Sequence, residues 1–150
     1  MLSDEDLREI ADNLKLPLIM VVCKDDLPDN RKVGSYYINL QNEKDGDGTH
    51  WVFARIFPDR TACYVDSFGI VAPLEVEAFL KPFSPFPYNT RQIQNINSQH
   101  CGLFCIAVDA FFTYDANKKL STADNLEQYC SMWSNDTKKN DTILKEYLKK

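Results

Sequence analysis

The sequence lacks the features that define several protein classes. No apolar run approaches the roughly 20 residues that a membrane-spanning helix needs. The opening residues, MLSDED, are too acidic for a signal peptide. The cysteines number five and include no CxxC pair, which argues against a disulfide framework or a zinc ribbon. We therefore expect a single domain over residues 1–150 in a reducing compartment, inside a cell or a virion and not secreted.

An excess of positive charge is also missing. The formal net charge of −5 at pH 7 argues against strong attraction to nucleic acid. The lysine-rich stretch 136–150 is open to two interpretations, a solvated terminal helix or a phosphate-binding patch. With 44% hydrophobic and 26% charged residues, the composition is that of an ordinary globular protein large enough to bury its own core. We expect a monomer without a membrane partner.

The order of the predicted elements indicates an α+β fold. A Ser-x-x-acid cap at Ser3 opens a helix with regularly spaced apolar residues, and β-branched and aromatic runs mark the strands. Pro73 opens a short helix whose apolar residues, Leu74 included, are expected to face the core. The proline-rich stretch 81–87 is either a connector packed on the surface or a linker between domains. The predicted helices are 3–14, the one after Pro73, the one from Cys101, 122–133 and 138–148, and the predicted strands are 18–22, 33–40, 49–57, 61–66 and 88–94.

A predicted hairpin brings two titratable residues together. The turn at 58–60 joins strands 49–57 and 61–66, and a polar loop over 42–48 precedes them. Pairing these strands places His50, at the start of one, close to Asp66, at the end of the other. A carboxylate in that position can fix the imidazole tautomer and stabilise its charged form.

The stretch from Gln94 to Phe112 passes from polar to almost continuously apolar residues. This pattern predicts a loop that leads into a buried helix, with Cys101 at or near the helix start. The unpaired N–H groups and the positive dipole end at such a site favour a thiolate, so Cys101 is a candidate nucleophile. Cys105, one turn further along, is expected to fill the core.

The other roles of a cysteine mechanism have candidates and rivals. The chain has two histidines, and His50 is the better base because His100 is adjacent to Cys101 and diverges from it. Gln94 is the candidate oxyanion donor, together with the Cys101 backbone N–H. Its rivals are Gln92 and Gln99. A zinc site built from His50, Cys63, Cys101 and Cys105 is a different interpretation of the same residues.

These residues together resemble the adenovirus maturation protease and the wider clan of ubiquitin-like-protein-specific cysteine proteases. The resemblance covers most of the chain, in the same order along the sequence. It is carried by GTHW at 48–51, YVDSFG at 64–69, Gln94 with Asn97 and Ser98, and CGLFC at 101–105.

The resemblance implies a single-domain, permuted papain-like α+β fold with a central mixed or antiparallel sheet flanked by helices. It further implies that Cys101 attacks the scissile carbonyl, that His50 is the general base oriented by Asp66, and that Gln94 lines the oxyanion hole. The adenovirus enzyme has Glu where Asp66 stands. Trp51 would line a cleft that admits only small residues, so substrates with Gly near the cut are expected. The alternative interpretation of Trp51 is a plain core aromatic.

The resemblance and the compact size suggest a viral maturation protease whose partners are capsid and core precursor proteins. No cofactor is required by the sequence. The adenovirus enzyme uses a disulfide-linked peptide and DNA as activators, but residues 83–90 here contain no cysteine and the chain is acidic. The alternatives are a deconjugating protease for a ubiquitin-like protein and a catalytically silent module that binds Gly-rich tails or a capsid partner.

Overall fold

Side chains that alternate between the two faces of the strands form a hydrophobic core on each side of the sheet. The computed structural model describes residues 2–41 and 50–149. The predicted loop 42–48 and the Thr49 end of the third predicted strand lie outside these residues. Within them the structure is α+β, with four strands and five α-helices. These are α1 (Asp4–Asn13), β1 (Leu18–Cys23), β2 (Gly34–Asn39), β3 (Trp51–Ile56), β4 (Ala62–Val65), α2 (Leu74–Leu80), α3 (Cys101–Ala110), α4 (Thr122–Ser131) and α5 (Asn140–Leu148).

Shorter helical turns complete the described elements. Lys24–Asp26, Lys81–Phe83 and Thr137–Lys139 form 3₁₀ turns, and Phe111–Asp115 continues α3 as a π-helical segment. None of the helices in residues 2–41 and 50–149 is both long and apolar enough to span a bilayer.

The sheet is mixed, in the order β1-β2-β3-β4. β1 runs parallel to β2, whereas β2, β3 and β4 are antiparallel neighbours. Successive side chains of a strand point to opposite faces, so Tyr37 and Phe53 pack toward α3 while Tyr36 and Val52 pack with α2 on the other face. Helices on both sides therefore bury the whole of β2 and nearly all of β3.

Helix α1 begins where the sequence predicts it. The Ser3 hydroxyl accepts from the Asp6 backbone N–H at 3.1 Å, and the Asp6 carboxylate accepts from the Ser3 backbone N–H at 3.0 Å. This reciprocal capping box satisfies two N–H groups that the helix start would otherwise leave unpaired. Leu7 and Ala11 then lie on the buried side of the helix.

A buried carboxylate fastens α3 to the middle of the sheet. Asp109 is completely buried and accepts from the hydroxyls of Ser35 at 2.5 Å and Tyr37 at 2.6 Å. The Arg55 guanidinium donates to the same carboxylate at 3.0 Å and also lies over the Phe57 ring. Three donors from two strands thus converge on one side chain of the helix.

Two predictions about the region after β4 are wrong. Residues 88–94 do not form a strand; they make a single parallel bridge between Tyr64 and Tyr88, and the rest is irregular. Leu74, which was expected to face the core, is 81% exposed because it lies at the outer start of α2. The stretch 81–87 is packed against the protein, with Phe83 buried.

Candidate active site

The β3–β4 hairpin positions the imidazole and its carboxylate partner. His50 directly precedes β3, Asp66 directly follows β4, and the antiparallel register pairs Phe53 with Val65. The predicted contact is present, with 2.8 Å between His50 Nε2 and Asp66 Oδ1. The two side chains are 14% and 1% exposed. Water therefore competes little with this interaction.

Asp66 is held rigidly by groups that the sequence did not single out. Its Oδ1 also accepts from the Phe68 backbone N–H at 2.8 Å. The buried Asn89 side chain accepts from the Asp66 N–H at 3.1 Å and donates to the Asp66 carbonyl at 2.7 Å. The Phe68 ring stacks on the His50 imidazole with centroids 4.7 Å apart. Phe68 lies inside the quoted YVDSFG segment, but no sequence pattern pointed to Asn89.

Cys101 is the first residue of α3, as the polar-to-apolar transition predicted. Its side chain is 2% exposed, and the Trp51 backbone N–H donates to Sγ over 3.4 Å. The side chain of Cys101 also interacts with His50 and helps to raise the pKa of its imidazole. Asp66 occupies Nε2 of the ring, which leaves Nδ1 for a second partner.

The surroundings of His50 favour its charged form. Burial lowers the pKa of His50, but the hydrogen bonds to Asp66 and Cys101 and the charges of both partners outweigh it and raise this pKa to about 9. The ring is therefore an imidazolium at neutral pH. A thiol at a helix N-terminus beside an imidazolium is one of the arrangements in which reactive cysteines occur.

His100, the other candidate base, is the N-cap residue of α3 and makes no side-chain capping hydrogen bond. Its backbone N–H donates to the Ser98 hydroxyl at 3.2 Å. His50 is thus the histidine that the structure places against both Asp66 and the thiol of Cys101.

Gln94 is buried in an irregular loop, 1% exposed, and not at the end of a strand as predicted. Its Oε1 accepts from the Ser67 hydroxyl at 2.5 Å, and its Nε2 donates to the Ser98 carbonyl at 2.9 Å. The rival glutamines Gln92 and Gln99 are both exposed. Of the three, Gln94 is the one that is fixed in the interior.

The start of α5 braces this loop from outside. The buried Asn140 side chain donates to the Ile93 carbonyl at 2.8 Å. The Ser98 hydroxyl donates to Asp141 at 2.8 Å. A third contact joins Asn95 to the Thr137 hydroxyl at 3.1 Å. The loop is therefore held on both sides of Gln94 by residues that are distant in sequence.

Trp51 is 6% exposed and lies within the hydrophobic core cluster on the α3 side of the sheet. Its indole N–H donates to the Leu2 carbonyl at 3.3 Å. A narrow space with no room for a water molecule is lined by Trp51, Ser67 and Cys101 among others. A contact between Trp51 and a substrate stays a prediction.

The second cysteine of α3 has a different environment. Cys105 is 3% exposed, and burial raises its pKa well above the ordinary value. Burial likewise raises the pKa of Cys63. Both are neutral thiols that pack in the core, as expected for Cys105. Across residues 2–41 and 50–149, no group of three or more His, Cys, Asp or Glu side chains is arranged to hold a metal ion.

This geometry defines a class of site: a buried thiol at a helix N-terminus, beside an imidazole that a carboxylate holds. No protein-family model matches the chain, and no curated protein matches it either.

Proposed function

We propose that this chain is a cysteine endopeptidase in which Cys101 is the nucleophile, His50 the general acid and base, and Asp66 its orienting partner. The observation that carries the proposal is the 2.8 Å contact between His50 and Asp66, together with the interaction of the same ring with Cys101 at the start of α3. A nucleophile, a base and an orienting group in mutual contact are what covalent catalysis requires.

The arrangement supports a two-stage acyl transfer. The Cys101 thiolate attacks the scissile carbonyl, a C–S bond forms, and the π electron pair moves onto oxygen. The Cys101 backbone N–H, unpaired at the helix start, and the Gln94 amide then stabilise this oxyanion. Collapse expels the amine, which takes the proton from the His50 imidazolium. Neutral His50 next removes a proton from water, which hydrolyses the thioester and regenerates the thiolate.

The fold and substrate class come from the family resemblance. We infer a permuted papain-like fold, a cleft that takes small residues such as Gly, and capsid or core precursor proteins as substrates within an infected cell or virion. The α+β class, the mixed sheet and the chain order His50, Asp66, Cys101 agree with this inference.

A thiol-reactive peptide probe ending in Gly-Gly tests the proposal directly. We expect it to label the native protein at Cys101, as mapped by mass spectrometry of the digested adduct. Labelling should vanish in Cys101→Ala and persist in Cys130→Ala, which removes a partly buried thiol away from the site. If the probe does not label the native protein, the endopeptidase hypothesis is refuted and the catalytically silent binding module is favoured.

Incubation with candidate precursors, followed by sequencing of the new N-termini, identifies the substrate class. Cuts after Gly-containing sites in structural precursors are the expected result. Cleavage confined to the tail of a ubiquitin-like protein would instead identify a deconjugase.

A further inference from the structure

We propose that Ser67 is a positioning residue that orients the Gln94 amide toward the oxyanion formed at Cys101. This inference rests on the proposed cysteine peptidase function and adds to it a residue that acts through another. Ser67 is 5% exposed, and its hydroxyl lies 2.5 Å from Gln94 Oε1.

The hydrogen-bond partners of the Gln94 side chain determine where its amide oxygen and its amide nitrogen lie. The Ser98 carbonyl can only accept a hydrogen bond, so the amide NH₂ group has to face it, at 2.9 Å. The amide oxygen therefore faces Ser67, whose hydroxyl donates to it. Rotating the amide by 180° would bring two carbonyl oxygens together. Ser67 and Ser98 thus hold the amide in one orientation from opposite ends.

The contact with Ser98 uses one of the two N–H groups on Nε2. The other N–H is the group that can donate to an oxyanion. Without the Ser67 hydroxyl, the amide would be tied at one end only, and its buried oxygen would lose its donor.

Ser67 also fixes the main chain of Gln94. The Ser67 carbonyl accepts from the Ile93 and Gln94 N–H groups at 2.8 and 2.9 Å. The Ser67 side chain lines the narrow space beside Cys101. One residue therefore holds both the backbone and the side chain of Gln94, and it does so next to the sulfur.

Consecutive residues consequently serve the two halves of the site. Asp66 contacts His50, while Ser67 contacts Gln94. The end of β4 sets the position of the base and of the oxyanion donor together.

The test separates reactions that form an oxyanion from one that does not. Peptide hydrolysis passes through an oxyanion, whereas alkylation by iodoacetamide forms a C–S bond by direct displacement of iodide. In Ser67→Ala we expect kcat for a Gly-Gly peptide to fall about tenfold with KM little changed. Alkylation of Cys101, followed by mass spectrometry at that residue, should keep its wild-type rate.

Two further variants complete the design. Ser131→Ala, which removes an exposed serine hydroxyl on α4, should keep the wild-type kcat. Adding Ser67→Ala to Gln94→Ala should cause no additional loss, because Ser67 acts only through that amide. Should Ser67→Ala fold poorly, Ser67→Cys keeps a polar group at this position but donates only weakly, and the same loss of kcat is expected.

The outcomes distinguish this inference from the proposed function. A wild-type protein that neither hydrolyses the peptide nor alkylates at Cys101 would refute the peptidase itself. With an active wild type, full kcat in the Ser67 variants would overturn the role of Ser67 alone. Parallel loss of alkylation, or a further loss in the Gln94→Ala background, would also overturn it by indicating a general structural effect.

Discussion

Two buried aspartates in this molecule differ in how many hydrogen-bond donors their carboxylate oxygens receive. Asp109 receives three donors from Ser35, Tyr37 and Arg55. Asp66 receives the Phe68 N–H and the His50 ring on Oδ1, and none of the described residues donates to its buried Oδ2. A fully bonded carboxylate fastens elements together, whereas an incompletely bonded one keeps capacity to respond to a changing charge. The first pattern is that of a structural aspartate, and the second agrees with the role proposed for Asp66.

The largest expected effect is on catalysis at Asp66. Asp66→Asn should lower kcat/KM for a Gly-Gly peptide by about 10²–10⁴-fold, because an amide can stabilise the wrong tautomer and cannot support the imidazolium. Steady-state kinetics over a range of pH measures this. A variant with wild-type kcat/KM and pH profile would remove Asp66 from the mechanism.

The corresponding change at the other aspartate should affect folding. Asp109→Ala strips the acceptor from three buried donors and leaves Arg55 without its counter-ion, so we expect the free energy of unfolding to fall by about 3 kcal/mol. Denaturant titration measures the loss, and activity per folded molecule should be retained. A loss of kcat without loss of stability would contradict the division between the two sites.

The charge on His50 makes part of the stability depend on pH. Its pKa is raised from 6.5 to about 9 on folding, so the stabilisation is complete below about pH 6.5 and is lost as pH rises through about 9. The unfolding free energy of the wild type minus that of His50→Gln should therefore shrink by about 3 kcal/mol between about pH 6 and pH 10. A difference that grows with pH would show that the ring is neutral in the folded protein.

The smallest effects concern one tyrosine beside each aspartate. Tyr37→Phe removes a donor to Asp109 and should cost about 1 kcal/mol of unfolding free energy. Tyr64 has a buried hydroxyl that no described residue bonds, and its pKa is raised by burial and by the charge of Asp66. Tyr64→Phe should therefore be neutral or slightly stabilising in the same denaturant titration. A larger loss of unfolding free energy in Tyr64→Phe than in Tyr37→Phe would mean that the Tyr64 hydroxyl has a hydrogen-bond partner.

Local patterns in the sequence were enough to predict the parts of the site that depend on local structure. A hairpin with a short turn fixes which strand ends lie together, so the proximity of His50 and Asp66 follows from the pairing of the two strands. The start of α3 at Cys101 follows from an abrupt change in polarity. The capping box at Ser3 is a signal within four residues.

The errors arose where distant segments decide the structure. Alternating residues over 88–94 suggested a strand, but the backbone there hydrogen-bonds to the Ser67 carbonyl instead. The same stretch lies so close to Gly69 that a Cβ atom there would be 2.8 Å from the Thr90 carbonyl oxygen. Gly69 also has a φ of +76°, which favours glycine. No propensity encodes such a contact. Asn89 and Asn140 likewise hold the site by side-chain bonds to segments far along the chain.

The bracing of the Gln94 loop by residues 137–141 has a consequence for synthesis on the ribosome. Because the chain emerges from its N-terminal end, Cys101 leaves the exit tunnel well before Asn140 and Asp141 do. The nascent protein thus carries its thiol while the loop beside it still lacks two of its anchors. Docking of α5 then supplies both anchors to the loop beside Cys101.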